Sequence, residues 1–167
     1  AGGHLVAMLG TSGDVLALEG QVGSSFDSSS RVTGVIDFFG PANLTNMGGS
    51  HNNPDSPESL LLGGPVPELP EIAAAASPIT YVSKDDPPFL MIHGSDDKLV
   101  PFNQSVQLHK SLQDVGVSAR LIKIEGGGHG RLQSTELDSR IRLFLENQFH
   151  DSDHEISTQS ISIHPSS

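Results

Sequence analysis

The stretch that most constrains this chain is Pro87–Gly94, PPFLMIHG, an unbroken apolar run closed by Pro on one side and Gly on the other. A strand with one wet face alternates apolar and polar residues. A continuous run of this length suits a strand covered on both faces, as in a parallel sheet flanked by helices. The segments downstream support that reading. Asn103–Val115 carries Leu108, Leu112 and Val115 on one helical stripe and stops at Gly116. ARLIKIE, residues 119–125, alternates with period two, and Thr135–Phe149 sets Leu137, Ile141, Phe144, Leu145 and Phe149 along one helical face.

Upstream, the β-branched and aromatic run Val32–Phe39 predicts another strand ending at a Gly-Pro break, and residues 3–9 predict a short buried helix with Leu5, Met8 and Leu9 on its packed face. Residues 20–31 are rich in Gly and Ser and have no period. Between the two strands, Ala42–Pro70 is broken by Pro and Gly. Short helices are predicted at Ser56–Leu62, with Ser56 as cap and Pro57 in the first turn, and at Glu68–Ala76. Such material serves either as a pocket wall or lid or as a plain surface excursion. The whole order predicts an α/β fold, a mostly parallel sheet with flanking helices and right-handed crossovers. Residues 1–149 form part of one domain, and the polar segment 150–167, without an apolar stripe, is expected to be a disordered tail.

Composition narrows the function. A hydrophobic content of 35% in 167 residues supplies one core. The net charge of −11, with nine Lys and Arg scattered singly, offers no basic stripe for nucleic acid. No apolar run approaches the ~20 residues of a membrane span, and the first residues lack the pattern of a signal peptide. Without Cys there is no disulfide, thiolate metal site or cysteine nucleophile. The His and acidic residues of the tail are a weak metal signal, so neither metal nor cofactor is expected. Oligomeric state and compartment stay open.

In parallel α/β sheets ligands bind beyond the carboxyl ends of the strands, which singles out two loops. HGSDDKLVP follows the FLMI strand and presents Asp96 and Asp97; EGGGHG follows LIKI and presents His129. Three consecutive glycines before His129 are costly in chain entropy and make sense where the backbone must take conformations closed to other residues. A carboxylate and an imidazole at neighbouring strand ends are two thirds of a nucleophilic triad. The hydroxyl is not among them. In the G-x-S-x-G turn, where the chain order is serine, acid, histidine, Ala1-Gly2 would be the x-G after the serine. The nucleophile is therefore expected one residue before Ala1. Phe38, Phe39 and Pro41 follow a strand at the end suited to lining an acyl pocket, with ordinary core packing an equal reading for the two Phe. His93 reads as a structural hydrogen-bonding residue and His4 as packed behind the turn. His51, His109, His150, His154 and His164 receive no role.

Five segments carry a family resemblance: AGGHL at 1–5, VIDFFGP at 35–41, ASPITYV at 76–82, PPFLMIHGSDDKLVP at 87–101 and GGGHG at 126–130. In order and spacing they resemble the C-terminal part of an α/β-hydrolase-fold serine esterase, of the carboxylesterase, lipase and feruloyl or acetyl esterase group. The resemblance covers Ala1 to about Phe149. It implies that Asp97 is the triad acid and His129 the base. It also implies that Gly2 and Gly3 let the first helix pack tightly under the nucleophile turn, and that the backbone N–H of Ala1 is one oxyanion donor. Ser95 stands where members often carry an acid, a change expected to be tolerated. The nucleophile, the earlier strands and the loop giving a second oxyanion donor are absent from these residues. The implied activity is hydrolysis of small-molecule carboxylic esters, with 167 residues alone expected to be inactive. A prolyl-oligopeptidase-type peptidase domain and a non-catalytic hydrolase-like binding protein are the alternatives.

Overall fold

A computed structural model describes residues 1–20, 28–130, 132, 134–150 and 152–162. Four strands among them, β1 (Val35–Phe38), β2 (Phe89–Gly94), β3 (Ala119–Glu125) and β4 (Ile161–Ser162), form one sheet in the order β1-β2-β3-β4. Every neighbouring pair is parallel, with Ile36 opposite Leu90, Ile92 opposite Ile122 and Ile124 opposite Ile161. All six residues of β2 are buried, as its unbroken apolar run requires. Phe89 and Met91 point to one side, into a cluster with Val35, Leu108, Leu112 and Ala119. Leu90 and Ile92 point to the other, among Ile122, Ile124, Leu137 and Phe144. The period of two thus gives the molecule two cores, one on each face of the sheet.

Among the described residues six α-helices accompany the strands: α1 (Gly2–Thr11), α2 (Leu16–Glu19), α3 (Pro57–Leu62), α4 (Pro70–Ala75), α5 (Asn103–Asp114) and α6 (Thr135–Phe149). In α5, Leu108 and Leu112 are fully buried, and Gly116 at φ +87° turns the chain out of the helix. Val115, expected on the same stripe, is instead the half-exposed capping residue, because the helix has ended by then. The Ser56 hydroxyl caps α3 by accepting from the Ser59 N–H at 3.0 Å, with Pro57 in the first turn, as predicted. The helix predicted over Glu68–Ala76 begins later, at Pro70. Leu69, kept out of the helical region by the proline that follows, separates it from a short 3₁₀ turn at Val66–Glu68.

Three expectations are corrected. In α1 the buried residues are Ala7, Gly10 and Thr11, while Leu5 and Leu9 lie outward at 64% and 45% exposure. Small residues face the sheet because the helix lies so close that a Cβ on Gly10 would overlap Val35 and Phe89. In α6 the buried residues are Leu137, Arg140 and Phe144, with Leu145 and Phe149 facing out. Arg140 sits on the inner face to hold the C-terminal segment, donating to Glu136 and, at 2.6 Å, to the carbonyl of Gln159. The segment after Phe149, expected to be a disordered tail, returns to the sheet as β4. Ile156 and Ile161 are its two anchors in the core beneath α6. Asp151, residues 163–167 and much of the Gly/Ser-rich stretch, residues 21–27, lie outside the described residues.

Residues 42–76 share a small core with Val100 of the loop after β2: Leu44, Met47, Leu62, Val66 and Ala73 pack with it. The Ser77 hydroxyl ties it together, accepting from the Leu44 N–H at 2.9 Å and donating to the Ala73 carbonyl at 2.6 Å. This excursion stands over the carboxyl end of the sheet.

Candidate active site

β2 and β3 end side by side and the loops beyond them are locked together. Gly94 packs so closely on Gly127 that a Cβ at residue 94 would overlap the Gly127 carbonyl. The Asp96 N–H donates to that carbonyl at 2.9 Å, and the Ser95 hydroxyl accepts from the Gly126 N–H at 2.9 Å. Gly126 itself takes φ +72°. Two of the three glycines thus have a physical reason, a left-handed turn and a close approach, whereas nothing lies within 4 Å of a Cβ built on Gly128. Ser95 in place of an acid supplies the hydroxyl that joins the loops.

This frame brings Asp97 and His129 together. The Asp97 side chain is fully buried, and its Oδ2 accepts from Nδ1 of His129 at 2.8 Å. Its Oδ1 accepts from the N–H groups of Leu99 at 2.8 Å and Val100 at 2.9 Å. Burial alone would raise this carboxyl. The Val100 N–H, the His129 ring and the Leu99 N–H outweigh it and hold Asp97 below the ordinary carboxylate range. With Nδ1 committed to a carboxylate, Nε2 is the His129 nitrogen left to take up a proton. Asp96, by contrast, is exposed, its carboxylate meeting the Ser95 hydroxyl of its own loop.

His93 lies behind the pair. Its Nε2 donates to the Val100 carbonyl at 3.0 Å and sits 3.3 Å from Asp97 Oδ2, while Nδ1 accepts from the Ser105 hydroxyl at 2.7 Å. Burial, first of all, lowers its pKa, so it stands neutral beside Asp97 and fixes the carboxylate's back. In front, the Phe39 ring lies 4.3 Å from the His129 ring, centroid to centroid. Phe39 reaches that position at φ +45°, a left-handed backbone uncommon for an aromatic residue, with its N–H bonded to Ile92.

The other expected site residues separate. Phe38 packs against the core beneath α6, while Pro41 lines two adjacent cavities. Ala1, at the N-terminal end of α1, lines both as well. The larger, about 440 Å³, holds His129, His51, Asn53, Asp55 and Lys98; the smaller, about 310 Å³, holds Leu5, Leu44 and Leu61. Gly3 sits where a Cβ would overlap Asp37, Phe38 and Gly40, whereas one on Gly2 would meet nothing within 4 Å. Nε2 of His4 donates to the Ala76 carbonyl at 2.7 Å, tying α1 to the excursion.

Two groups escaped sequence reasoning. Glu58 and His51 face each other in the cavity wall, Oε2 to Nδ1 at 3.2 Å, on a segment whose irregularity hid them. Asp37, inside a strand signal, is completely buried. One oxygen accepts from the Gly40 N–H at 3.0 Å, the other has no partner among the described residues, and burial pushes the carboxyl up to about 7 despite that bond. Its position within an otherwise apolar strand was the available clue. Among the described residues no group of three His, Asp or Glu is arranged to hold a metal ion, and no helix is long and apolar enough to cross a membrane.

Comparison with known proteins agrees with this architecture. The BD-FAE family model matches residues 1–112. Esterase LipQ of Mycobacterium tuberculosis (strain ATCC 25618 / H37Rv) is 32% identical over 120 residues, which are 71% of this chain and 28% of LipQ. A truncated carbohydrate esterase from gut microbiota superposes with a TM-score of 0.80 at 34% identity over 88% of this chain and 56% of its own. A bifunctional GH43-CE of Bacteroides eggerthii does so with a TM-score of 0.78 at 35% identity, over 87% of this chain and 22% of its own. The chain therefore spans about half or less of the length of these relatives. With a family model matched over most of its length and esterases among its relatives in sequence and structure, the chain belongs to the BD-FAE family of α/β-hydrolase-fold esterases.

Proposed function

We propose that this chain supplies the acid and the base of a serine hydrolase that cleaves carboxylic esters. The observation that carries the reading is the 2.8 Å contact from buried Asp97 to Nδ1 of His129. In the full-length protein the nucleophile is a serine immediately before Ala1. Nε2 of His129 takes the serine proton as the hydroxyl oxygen attacks the ester carbonyl, and Asp97 stabilises the imidazolium that forms. The backbone N–H of Ala1 donates to the oxyanion of the tetrahedral intermediate. His129 then returns the proton to the leaving alcohol. A water deprotonated by the same nitrogen releases the acid and frees the serine. The small-molecule ester occupies the cavities beside Ala1, and the carbohydrate esterase among the structural relatives supports a carbohydrate as its alcohol half.

The test is the full-length protein against p-nitrophenyl acetate and an acetylated methyl pyranoside. His129→Ala is expected to reduce kcat by at least ~10³-fold, the scale set when a triad member is lost, with its melting temperature retained because the ring is partly exposed. A variant that keeps kcat within tenfold overturns the proposal. Mass-spectrometric detection of an acyl group on the residue before Ala1 is the second expected result.

A further inference from the structure

From the two cavities beside Ala1 we infer that Glu58 and His51 form a hydrogen-bonding subsite that reads a hydroxyl on the alcohol half of the ester. The inference rests on the reading of His129 as the base. A base that accepts the nucleophile's proton must hand it to the leaving oxygen, so the alcohol leaves on the side where His129 stands. His129 lines only the larger of the two cavities, and that one is the more polar of the two, with Asn53, Asp55 and Lys98 on its wall beside Leu99 and Val100. The smaller, walled by Leu5, Leu44 and Leu61, lies across Ala1 and is left for the acyl group.

Glu58 stands between the two and lines both. Its side chain is nine-tenths buried at 10% exposure, yet Oε2 has no hydrogen-bond partner among the described residues. Nδ1 of His51 is 3.2 Å away without the geometry of a bond, its ring only 17% exposed. A buried carboxylate oxygen left in that state is costly, and the cost is recovered when a donor arrives. A hydroxyl both donates and accepts. It can give its proton to Glu58 and take one from His51, which an aryl or alkyl half with no hydroxyl beyond the esterified oxygen cannot do. The capped start of α3 holds the pair in place: Ser56 bonds the Ser59 N–H and, at 2.7 Å, donates to the His51 carbonyl.

The experiment compares full-length wild type with Glu58→Gln and His51→Asn. Two readouts are used: the ratio of kcat/KM for an acetylated methyl pyranoside to that for phenyl acetate, and binding of the unesterified methyl pyranoside by calorimetry. Each variant is expected to lower the ratio at least tenfold and to weaken methyl pyranoside binding in step. His51→Asn, on a short 3₁₀ turn and without an apolar core contact, serves where Glu58→Gln does not fold. A ratio and an affinity that stay within twofold in a folded variant overturn the subsite and leave the esterase reading intact. Loss of methyl pyranoside affinity in variants of a protein that hydrolyses neither ester keeps the subsite and overturns the esterase reading. Wild-type protein that binds no methyl pyranoside overturns the subsite outright.

Discussion

Asp97 and Asp96 are adjacent in the chain and opposite in circumstance. Asp97 is buried with three N–H donors, including the His129 ring, converging on its carboxylate, while Asp96 stands in solvent. Asp97→Asn in the full-length protein is therefore expected to lower kcat by about 10⁴-fold, since the amide favours the wrong imidazole tautomer. Asp96→Asn should change it less than threefold by the same steady-state assay, and the reverse order would transfer the acid role. In the sequence, Asp97 is preferred only by its place in a motif. Nothing in the local residue pattern distinguishes two aspartates that differ only in which way a turn points them. Asp37 illustrates the same limit, since a single polar letter in VIDFF does not say that its carboxyl is sealed. Folding raises it from an ordinary value to about 7, so the native state keeps a proton that the unfolded chain has released above pH ~4. That contribution is complete below pH ~4 and fades as pH rises through 7. Asp97, depressed on folding, contributes in the opposite direction, and comparison with a variant cancels it. Asp37→Asn is expected to gain stability relative to wild type between pH 4 and 7, by a few kcal/mol at most, measured by thermal melts across that range. A difference that stays flat with pH would refute the shift.

The elements were legible where one periodicity fits one environment. The unbroken run of β2, the alternation of β3 and the limits of α6 all appear where the pattern puts them. The pattern failed at helix faces. In α1 the small residues Ala7, Gly10 and Thr11 face inward in place of Leu5 and Leu9, and in α6 Arg140 joins Leu137 and Phe144 on the inner face while Leu145 and Phe149 turn out. Hydrophobicity alone does not register that a helix can approach a sheet only through Gly and Ala. Nor does it show that a buried arginine finds carbonyls to bond. Close approach matters most at Gly94. An added methyl would overlap the Gly127 carbonyl, forcing apart the two strand ends that carry Asp97 and His129. A displacement near 1 Å costs on the order of 10² in rate, so Gly94→Ala is expected to lose at least that in kcat while Gly128→Ala stays near wild type. Equal kcat values for the two variants would show that the loops are not a rigid frame.

At the scale of the molecule, the sheet is partly covered on one side and open on the other among the described residues. β4 pairs with the last two residues of β3, which composition concealed because isolated isoleucines, Ile156 and Ile161 among them, anchor a largely polar segment. Beside β1 there is no further strand among the described residues, and nearby α1 and α2 turn Leu5, Leu9, Leu16 and Leu18 outward at 44–86% exposure. An unpaired parallel edge next to exposed leucines is a template for another chain. Opposing it is the net charge of −11, which repels copies over a distance set by salt. The Debye length is ~30 Å at 0.01 M and ~8 Å at 0.15 M, so repulsion reaches across a contact only in dilute salt. These 167 residues expressed on their own are therefore expected to be mostly monomeric at low ionic strength and to associate at micromolar concentration as salt is raised. Leu9→Glu with Leu16→Glu should suppress the association. Sedimentation velocity at the two salt concentrations decides it: a single monomer boundary in both, or association that the two glutamates leave untouched, would mean that the β1 side is not the adhesive face.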